Sequence, residues 1–398
     1  MNKLPTSETG RIEALDMIRG LSLLGIFIAN MIHFHSPVVY MEPYSWFEDN
    51  GEGLSYMWLD IFIEASFYPI FAMLFGYGLS MQYSKSVLQQ TSFGPTAARR
   101  MVILLAFGII HAIFIWSGDI LFTYAVLGFL MIALVRIPPK WLFFGALSLY
   151  IIPNGLLTAT VYVSERLMGE ASLSEFADIQ KIQDAIQVYG HGSYLETMAF
   201  RVQEWLVASV GGLFLTPFMI LPLMMIGAAL AKWRIFERAN EMKGRLIVIG
   251  VSSLIIGVAL KAVPFLISTD YSMQFIQTYF GGPLVSAGYV SLLLVLCTLP
   301  WFSKVFRPIA KAGRMSLTTY IGQSVIATLI FYHYGFGMYG KVDIATGTLM
   351  AVGIFVVQAL LADLWLTRYK MGPLEYVWRI GTYGTILSNK KDKRRDLS

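Results

Sequence analysis

The sequence predicts an all-α fold: a polytopic integral membrane bundle of about ten transmembrane helices with both termini in the cytoplasm. Of the 398 residues, 56% are apolar and 14% are charged, whereas about 25% are charged in ordinary soluble proteins. About ten apolar runs approach or exceed the roughly 20 residues that a bilayer-spanning helix needs. The basic residues gather on alternate connections between these runs. A large soluble catalytic domain is therefore excluded.

The alternate connections give the predicted orientation. They place 25 of the 30 Lys and Arg residues on one side of the membrane. Because cytoplasmic loops are enriched in Lys and Arg, that side is predicted to face the cytoplasm. The net charge of +5 then follows from orientation in a lipid bilayer, and no nucleic-acid partner is expected. The predicted spans lie at 17–36, 55–82, 98–116, 119–136, 140–164, 206–231, 245–267, 280–299, 316–335 and 344–367.

The predicted organisation is two five-helix membrane halves on either side of one polar segment. A short basic tail, predicted to be cytoplasmic, follows the second half. The four parts are 1–164, 165–205, 206–385 and 386–398.

The polar segment 165–205 is predicted to be an amphipathic, extracytoplasmic loop with two short helices. Ser172 with Glu175, and Ser193 with Glu196, have the spacing of a capping box. In a capping box the two side chains bind the free amides of a helix start. Each pair therefore predicts where one of the short helices begins.

Ionisable residues inside membrane spans are costly and usually mark a pathway or a reaction site. In the first span, four polar residues fall within about 100° of one helix face: Asp16, Arg19, Asn30 and His33. Arg19 and His33 lie roughly 21 Å apart along the helix, so this polar stripe nearly crosses the membrane. The alternative is an ion pair of Asp16 with Arg19 at the helix entrance and a histidine at the outer headgroup level.

A second candidate is the pair of His111 and Asp119. His111 lies in the outer half of the third span, and the short turn from Ser117 to Asp119 reverses the chain. Asp119 is therefore expected to return toward His111. A carboxylate that accepts the proton of one imidazole nitrogen fixes the tautomer and leaves the other nitrogen as a base. The alternative for a buried histidine is a structural role.

Further polar residues lie in two other spans. Asp60 and Glu64 are four residues apart, so we expect them on one face of the second span, where they need a proton or a basic partner. Arg314 lies at the cytoplasmic start of the ninth span and Gln323 lies within it. These two side chains either bind a substrate or connect helices by hydrogen bonds.

The sequence gives little sign of a metal or a tightly bound cofactor. Imidazole and carboxylate groups suit zinc or iron, and His33, His35, His111 and His333 all fall near the outer side. However, no compact ligand motif occurs, and the single cysteine, Cys297, can form no intramolecular disulfide. No phosphate-binding glycine loop or dinucleotide motif occurs either. We therefore predict no bound metal and no tightly bound cofactor.

Three stretches taken together resemble the YeiB family of bacterial polytopic membrane proteins, whose C-terminal half is known as domain of unknown function 418. The first is RIEALDMIRGLSLLGIFIANM at 11–31, and the second is RRMVILLAFGIIHAIFIWSGDILFTYAVLGFL at 99–130. The third combines GRMSLTTYIGQS at 313–324 with GPLEYVWRIGTYG at 372–384. The resemblance implies a multi-pass protein of the bacterial cell membrane.

The resemblance implies two competing functions. The first half of the family is similar to membrane acyltransferases, which move an acyl group from cytosolic acyl-CoA to an acceptor outside by means of a membrane-embedded histidine. On that interpretation His111 or His33 is the base, Asp119 orients it, and Arg19 helps to hold the donor. The alternatives are a secondary transporter of a small solute, coupled to protons through Asp60, Glu64 and His111, and a membrane protein without turnover. The sequence does not determine the oligomeric state, and a homodimer is one alternative.

Overall fold

The computed structural model describes residues 12–168, 177–386 and 388–391. Within these ranges the chain is helical, apart from turns and one isolated bridge between Tyr369 and Lys390. The all-α prediction is confirmed. The helices are α1 (Glu13–His35), α2 (Pro43–Asp49), α3 (Gly53–Phe62), α4 (Tyr68–Leu88), α5 (Gly94–Phe114), α6 (Leu121–Leu134), α7 (Pro139–Met168), α8 (Ile179–His191), α9 (Tyr194–Met219), α10 (Leu221–Lys232), α11 (Lys243–Lys261), α12 (Val263–Leu266), α13 (Tyr271–Phe275), α14 (Gly282–Leu296), α15 (Pro300–Val305), α16 (Arg307–Arg314), α17 (Ser316–Phe331), α18 (Ile344–Arg368) and α19 (Pro373–Tyr383).

Seven helical segments of the described chain are long and apolar enough to cross a membrane. Two further predicted spans correspond to the shorter apolar helices α6 and α17, and one predicted span is broken. The chain is thus a multi-pass helical protein, while the count of ten spans and the cytoplasmic termini stay predictions. The seven segments are Glu13–His35, Gly94–Phe114, Pro139–Leu167, Phe214–Lys232, Lys243–Lys261, Tyr271–Leu296 and Ile344–Arg368.

The second predicted span, 55–82, is two helices instead of one. Helix α3 ends at Phe62 and α4 begins at Tyr68. A continuous helix would need a hydrogen bond from residue 69 to the Ala65 carbonyl, but Pro69 has no N–H to donate. Ala65 adopts a positive φ of 54°, a conformation that L-residues rarely adopt. The expectation that Asp60 and Glu64 share one helix face is therefore wrong, because Glu64 lies beyond the end of α3.

Side chains from other helices bind the carbonyl groups that this break frees. The Tyr289 hydroxyl donates to the Phe62 carbonyl at 2.9 Å, and the Lys261 ammonium donates to the Glu64 carbonyl at 2.7 Å. The Ser286 hydroxyl donates to the Ser66 carbonyl. Inside a bilayer, irregular backbone is tolerated only where protein groups satisfy it in this way.

Helix α1 lies at the centre of the bundle. In the most apolar part of α1, 72% of the residues are buried, against 17% for α11. It packs against α4, α14, α16, α17 and α18. A central position lets neighbouring helices satisfy the polar groups of α1, which lipid could not do.

One of the two predicted helix starts in the polar segment can be examined. Ser193 and Glu196 form a complete capping box at the start of α9, as predicted. The prediction that a short helix follows this start is wrong, because α9 runs without interruption to Met219. The other predicted start, Ser172 with Glu175, lies outside the described residues.

Candidate active site

His111 and Asp119 meet near the start of α6. The His111 Nδ1 and Asp119 Oδ1 atoms are 2.9 Å apart, and both side chains are fully buried. Because a carboxylate only accepts hydrogen bonds from N–H groups, Nδ1 carries the proton and donates it. The other ring nitrogen, Nε2, is buried and has no hydrogen-bond partner among the described residues. A buried Nε2 lone pair held in this way is a ready proton acceptor.

The first turn of α6 holds the Asp119 carboxylate in place. Its second oxygen, Oδ2, accepts a hydrogen bond from the Phe122 amide at 2.7 Å. Helix α5 approaches this turn closely at Gly108, one turn before His111. A Cβ atom at Gly108 would lie 2.4 Å from the Phe122 nitrogen and 2.9 Å from Asp119 Oδ2. Glycine at 108 is therefore what allows α6 and the carboxylate to reach α5.

A cavity of about 240 Å³ ends beside this pair. Tyr320 and Ile120 line the part of the cavity that is nearest to this pair. The Tyr320 ring is 5.2 Å from the His111 ring, centroid to centroid, and the Tyr320 hydroxyl is 3.4 Å from the Ile120 amide nitrogen. His111 and Asp119 thus lie directly behind these two lining residues. Its side walls are mostly apolar and include Ile26, Phe71, Phe75, Leu79, Leu104, Leu121 and Tyr124.

The other end of the cavity is basic. Arg19, Arg100 and Arg314 all line it, and we call the end of the bundle that holds these three arginines the basic end. The Arg100 guanidinium lies 4.2 Å above the Trp378 ring, and the Trp378 indole donates to the Arg100 carbonyl at 3.0 Å. No local sequence pattern marks Arg100 as a cavity residue, and its contact with Trp378 is one that only the packing of α19 against α5 creates.

Glu375 fixes the start of α17 at the basic end. One carboxylate oxygen accepts from the amides of Leu317 and Thr318 at 2.7 and 3.1 Å. The other accepts from the Thr318 hydroxyl at 2.6 Å. Burial raises the pKa of Glu375, and the hydrogen bonds from Thr318 oppose that effect. These contacts hold the cavity-lining part of α17, including Tyr320, against α19.

A second polar group lies on the far side of His111, at the end opposite to the basic end. Its centre is Glu204 of α9, which accepts hydrogen bonds from the hydroxyls of Ser117, Tyr40 and Tyr189. The Glu204 charge also acts on His33 of α1. Glu204 falls within the predicted polar loop 165–205, and the sequence predicts no role for it. The buried positions Thr197 and Arg201 precede it at helical spacing on α9, and this spacing is the signal that could have found it.

The remaining predicted residues of the first and ninth spans are partly brought together. Asp16 binds Arg19 at 3.3 Å, which matches the ion pair considered from the sequence. Asn30 is partly buried and does not line the cavity. Gln323 is buried, one helical turn beyond Tyr320, and its amide nitrogen has no hydrogen-bond partner among the described residues.

Asp60 and Glu64 form a separate cluster with the buried Lys261. Tyr44 bridges Asp60 and Gln277, with its hydroxyl 3.0 and 2.8 Å from their side-chain oxygens. The charge of Lys261 acts on both carboxylates. Gln277 lies in a π-helical turn at Ile276–Gly281. None of these side chains lines the cavity beside His111, so the structure does not bring Asp60 and Glu64 to the His111 pair.

Within the described ranges, no group of three or more His, Cys, Asp or Glu side chains could hold a metal ion. His35 and His333 lie at the end opposite to the basic end, but each has its own local partner. His35 Nδ1 is 2.7 Å from the Ser36 hydroxyl, and His333 Nδ1 is 3.4 Å from the Thr197 hydroxyl.

The fold and the buried site define a class: an all-α, multi-pass membrane protein whose bundle encloses a buried histidine–carboxylate pair beside a cavity with a basic end. Comparison with known proteins narrows this class. The family model described as "Protein of unknown function (DUF418)" matches residues 230–385 of this chain. The chain is 32% identical over 394 residues to the uncharacterized protein YxaH of Bacillus subtilis (strain 168), covering 95% of this chain and 96% of that protein.

Two other relatives are also similar over most of their length. The uncharacterized protein YeiB of Escherichia coli (strain K12) is 27% identical over 389 residues, covering 92% of this chain and 94% of the relative. An uncharacterized 39.9 kDa protein in the amylase 3′ region of Bacillus acidopullulyticus is 27% identical over 384 residues, covering 95% and 96%. The chain therefore belongs to the YeiB family of DUF418 membrane proteins, as the sequence motifs predicted.

Proposed function

We propose that this protein is a membrane acyltransferase that moves an acyl group from acyl-CoA at the basic end to a hydroxyl or amine acceptor at the opposite end. One observation carries the proposal. A single cavity runs from three arginines to the residues that touch the His111–Asp119 pair. The same cavity thus connects a binding region for an anionic donor with a neighbouring base.

The cavity suits the donor in charge and in polarity. Guanidinium groups bind phosphate oxygens in bidentate fashion, so Arg19, Arg100 and Arg314 suit the phosphorylated part of acyl-CoA. The mostly apolar walls suit the uncharged arm and the acyl group. On this proposal the thioester lies at Tyr320, and a shift of the Tyr320 ring exposes His111 Nε2 to it.

His111 then acts as general base and afterwards as general acid. Nε2 takes the proton of the acceptor hydroxyl or amine, and the freed nucleophile attacks the thioester carbonyl carbon. The tetrahedral intermediate collapses, the carbon–sulfur bond breaks, and the coenzyme A thiolate receives the proton from His111. Asp119 stabilises the imidazolium that forms between these two steps.

The group around Glu204 supports an acceptor side. Its carboxylate already accepts three hydroxyl hydrogen bonds, and an acceptor hydroxyl is the same kind of donor. His33 lies within the electrostatic reach of Glu204. We therefore assign His33 and Glu204 to acceptor binding, and His111 to proton transfer.

The orientation follows from the sequence. We propose that the basic end faces the cytoplasm, where acyl-CoA is found, because 25 of the 30 basic residues fall on that side of the predicted topology. The relatives in Bacillus and Escherichia support a place in the bacterial cell membrane. Both termini are then cytoplasmic.

The test measures acetyl-CoA binding and release of the free thiol by the purified full-length protein in detergent, with a small amino alcohol such as ethanolamine added as the acyl acceptor. We compare the wild type with His111→Ala and with His191→Ala, an exposed histidine at the end of α8. We expect all three proteins to bind acetyl-CoA and only His111→Ala to lose thiol release, by about 10²-fold or more. If the wild type neither binds nor cleaves acetyl-CoA, the proposal is wrong.

The broken second span favours secondary transport as a second candidate. Discontinuous helices with buried polar groups form the ion and substrate sites of many transporters, and here the break faces Lys261 and Asp60. The probe is a pH-sensitive dye inside proteoliposomes under an imposed pH gradient. Proton flux that Asp60→Asn abolishes would support transport, and absence of flux in a protein that cleaves acetyl-CoA would exclude proton coupling.

A further inference from the structure

A second cavity, of about 320 Å³, lies at the basic end. Arg314 lines both this cavity and the apolar cavity that leads to His111. We call the second one the outer basic cavity. Here "outer" means farther from His111 and does not refer to the extracytoplasmic side of the membrane. Its charged lining residues are Glu13, Asp16, Arg307, Lys311, Arg314 and Lys391.

Close contact between α1 and α16 places this charged lining. A Cβ atom at Gly313 would lie 2.0 Å from the Asp16 carbonyl oxygen. The two helices therefore touch through backbone at this point, and any larger residue would separate them. As a result Asp16 of α1 lies in the lining of the outer basic cavity together with Arg314 of α16, which also lines the apolar cavity.

Positive charge exceeds negative charge in the lining. Four cationic side chains face two carboxylates, and Arg307 is also 3.4 Å from Asp363. Burial lowers the pKa of Lys311, and the neighbouring charges of Arg314, Arg307 and Lys391 lower it further, while Asp363 opposes them. Cations crowded in this way repel one another, and a bound anion would relieve that repulsion.

The apolar cavity cannot hold a whole phosphorylated donor. Its volume of about 240 Å³ lies below the roughly 300 Å³ at which pockets for drug-sized ligands begin. Its mostly apolar walls also offer few partners to phosphate groups away from the arginines. A donor that places its arm there must therefore extend its phosphates past the three arginines, and the outer basic cavity adjoins the apolar cavity at Arg314.

We infer that the outer basic cavity binds the phosphate groups of the donor nucleotide, with Lys311 and Arg307 as the residues that select for them. The inference rests on the proposed function and names the part of the donor that this cavity recognises. The recognised chemistry is a cluster of phosphate oxygens. Anionic lipid headgroups carry the same chemistry, so the experiment must separate the two sources.

The first measurement is the affinity of adenosine 3′,5′-bisphosphate for the purified full-length protein, by calorimetry at low salt. This probe carries the adenosine and two of the three phosphates of the donor, without the second phosphate of the diphosphate and without the arm. Lys311→Gln is expected to weaken binding about tenfold, because it removes one charge-assisted contact. Lys304→Gln is the matched control, since Lys304 is exposed on α15 and lines neither cavity. Equal affinities of the Lys311→Gln variant and the wild type would overturn the inference.

The second measurement repeats the comparison in nanodiscs of phosphatidylglycerol and of phosphatidylcholine. If the bisphosphate does not bind, but Lys311→Gln weakens association with phosphatidylglycerol, a lipid headgroup is the ligand and the nucleotide assignment is overturned. Affinity for the bisphosphate that depends on Lys311 in both lipids supports the assignment.

The two proposals can fail independently. If acetyl-CoA is cleaved in a His111-dependent way while the bisphosphate binds without regard to Lys311, the further inference fails and the acyltransferase proposal stands. If the bisphosphate binds through Lys311 but acetyl-CoA is never cleaved, the phosphate site stands and the acyltransferase proposal fails.

Discussion

The bundle holds two buried groups of ionisable residues, and they differ in how their polar atoms are used. In the His111–Asp119 pair, both Asp119 oxygens accept hydrogen bonds from protein groups. The buried His111 Nε2 has no hydrogen-bond partner in the described chain. In the cluster of Asp60, Glu64 and Lys261, the Lys261 ammonium donates to the backbone of the broken span. The first arrangement suits proton transfer, and the second stabilises an irregular helix.

The largest effect that tests this difference between the two groups is expected on substitution of Lys261. Lys261→Met removes the cation from two buried carboxylates and frees the Glu64 carbonyl. Leaving a buried acceptor without its hydrogen-bond partner costs about 1–3 kcal/mol, and more where charged groups are involved. We therefore expect a lower free energy of unfolding in detergent, measured by denaturant titration.

The matched control for this change is Lys341→Met, because Lys341 is exposed. We expect that variant to keep the stability of the wild type. A Lys261→Met protein that is as stable as the wild type, yet inactive, would instead place the cluster in the functional machinery.

The next largest effect is expected at Asp119. Asp119→Asn keeps an oxygen for the Phe122 amide but loses the charge that orients and stabilises the His111 imidazolium. Thiol release from acetyl-CoA should fall about 10²-fold or more, with acetyl-CoA affinity unchanged. Asp49→Asn, at an exposed site of α2, serves as control, and an undiminished rate in Asp119→Asn would remove Asp119 from the mechanism.

A smaller effect is expected at Gly108. Gly108→Ala forces the start of α6 away from α5, because its Cβ would meet the Phe122 nitrogen at 2.4 Å. We expect thiol release to fall about tenfold, since misplacement of catalytic groups by about 1 Å costs as much as 10²-fold. Gly155→Ala in α7 has no atom within 4 Å of the added Cβ and should leave the rate unchanged. A wild-type rate in Gly108→Ala would show that the spacing of α5 and α6 does not matter.

The smallest effect is expected at Glu204. Glu204→Gln keeps a hydrogen-bond acceptor for Tyr189 and Ser117 but removes the charge beside His33. Because we assign this residue to the acceptor, acetyl-CoA affinity should stay the same while thiol release falls a few-fold, or about 1 kcal/mol or less. A loss of acetyl-CoA binding in this variant would contradict the division between a donor end and an acceptor end. Glu48→Gln, at an exposed site of α2, is the control.

Local features of the sequence predicted part of this picture. The meeting of His111 with Asp119 depends on a short turn, and the start of α9 depends on a four-residue capping box, so both can be inferred from adjacent residues. The break in the second span could not be inferred in the same way. Pro69 is compatible with the start of a helix, and the carbonyl groups freed before it are bound by Lys261, Ser286 and Tyr289, all more than 190 residues away.

The convergence at the cavity also depends on distant contacts. At the basic end, Trp378 of α19 packs against Arg100 of α5, and Glu375 binds the start of α17, 58 residues away along the chain. Neither residue has a local pattern that reveals such a partner. Most membrane helices of this chain are apolar on all faces. Their sequences therefore predict that a helix forms more readily than they predict which of its faces contacts a neighbouring helix.

The most direct test of the central claim is a double-mutant cycle on thiol release from acetyl-CoA with His111→Ala, Asp119→Asn and the double variant. If Asp119 acts only through the His111 imidazole, removing it from the His111→Ala protein changes nothing further, because groups that act as a unit are not additive. We therefore predict equal rates for His111→Ala and the double variant. Losses that multiply in the double variant would contradict the account, because the two side chains would then act independently.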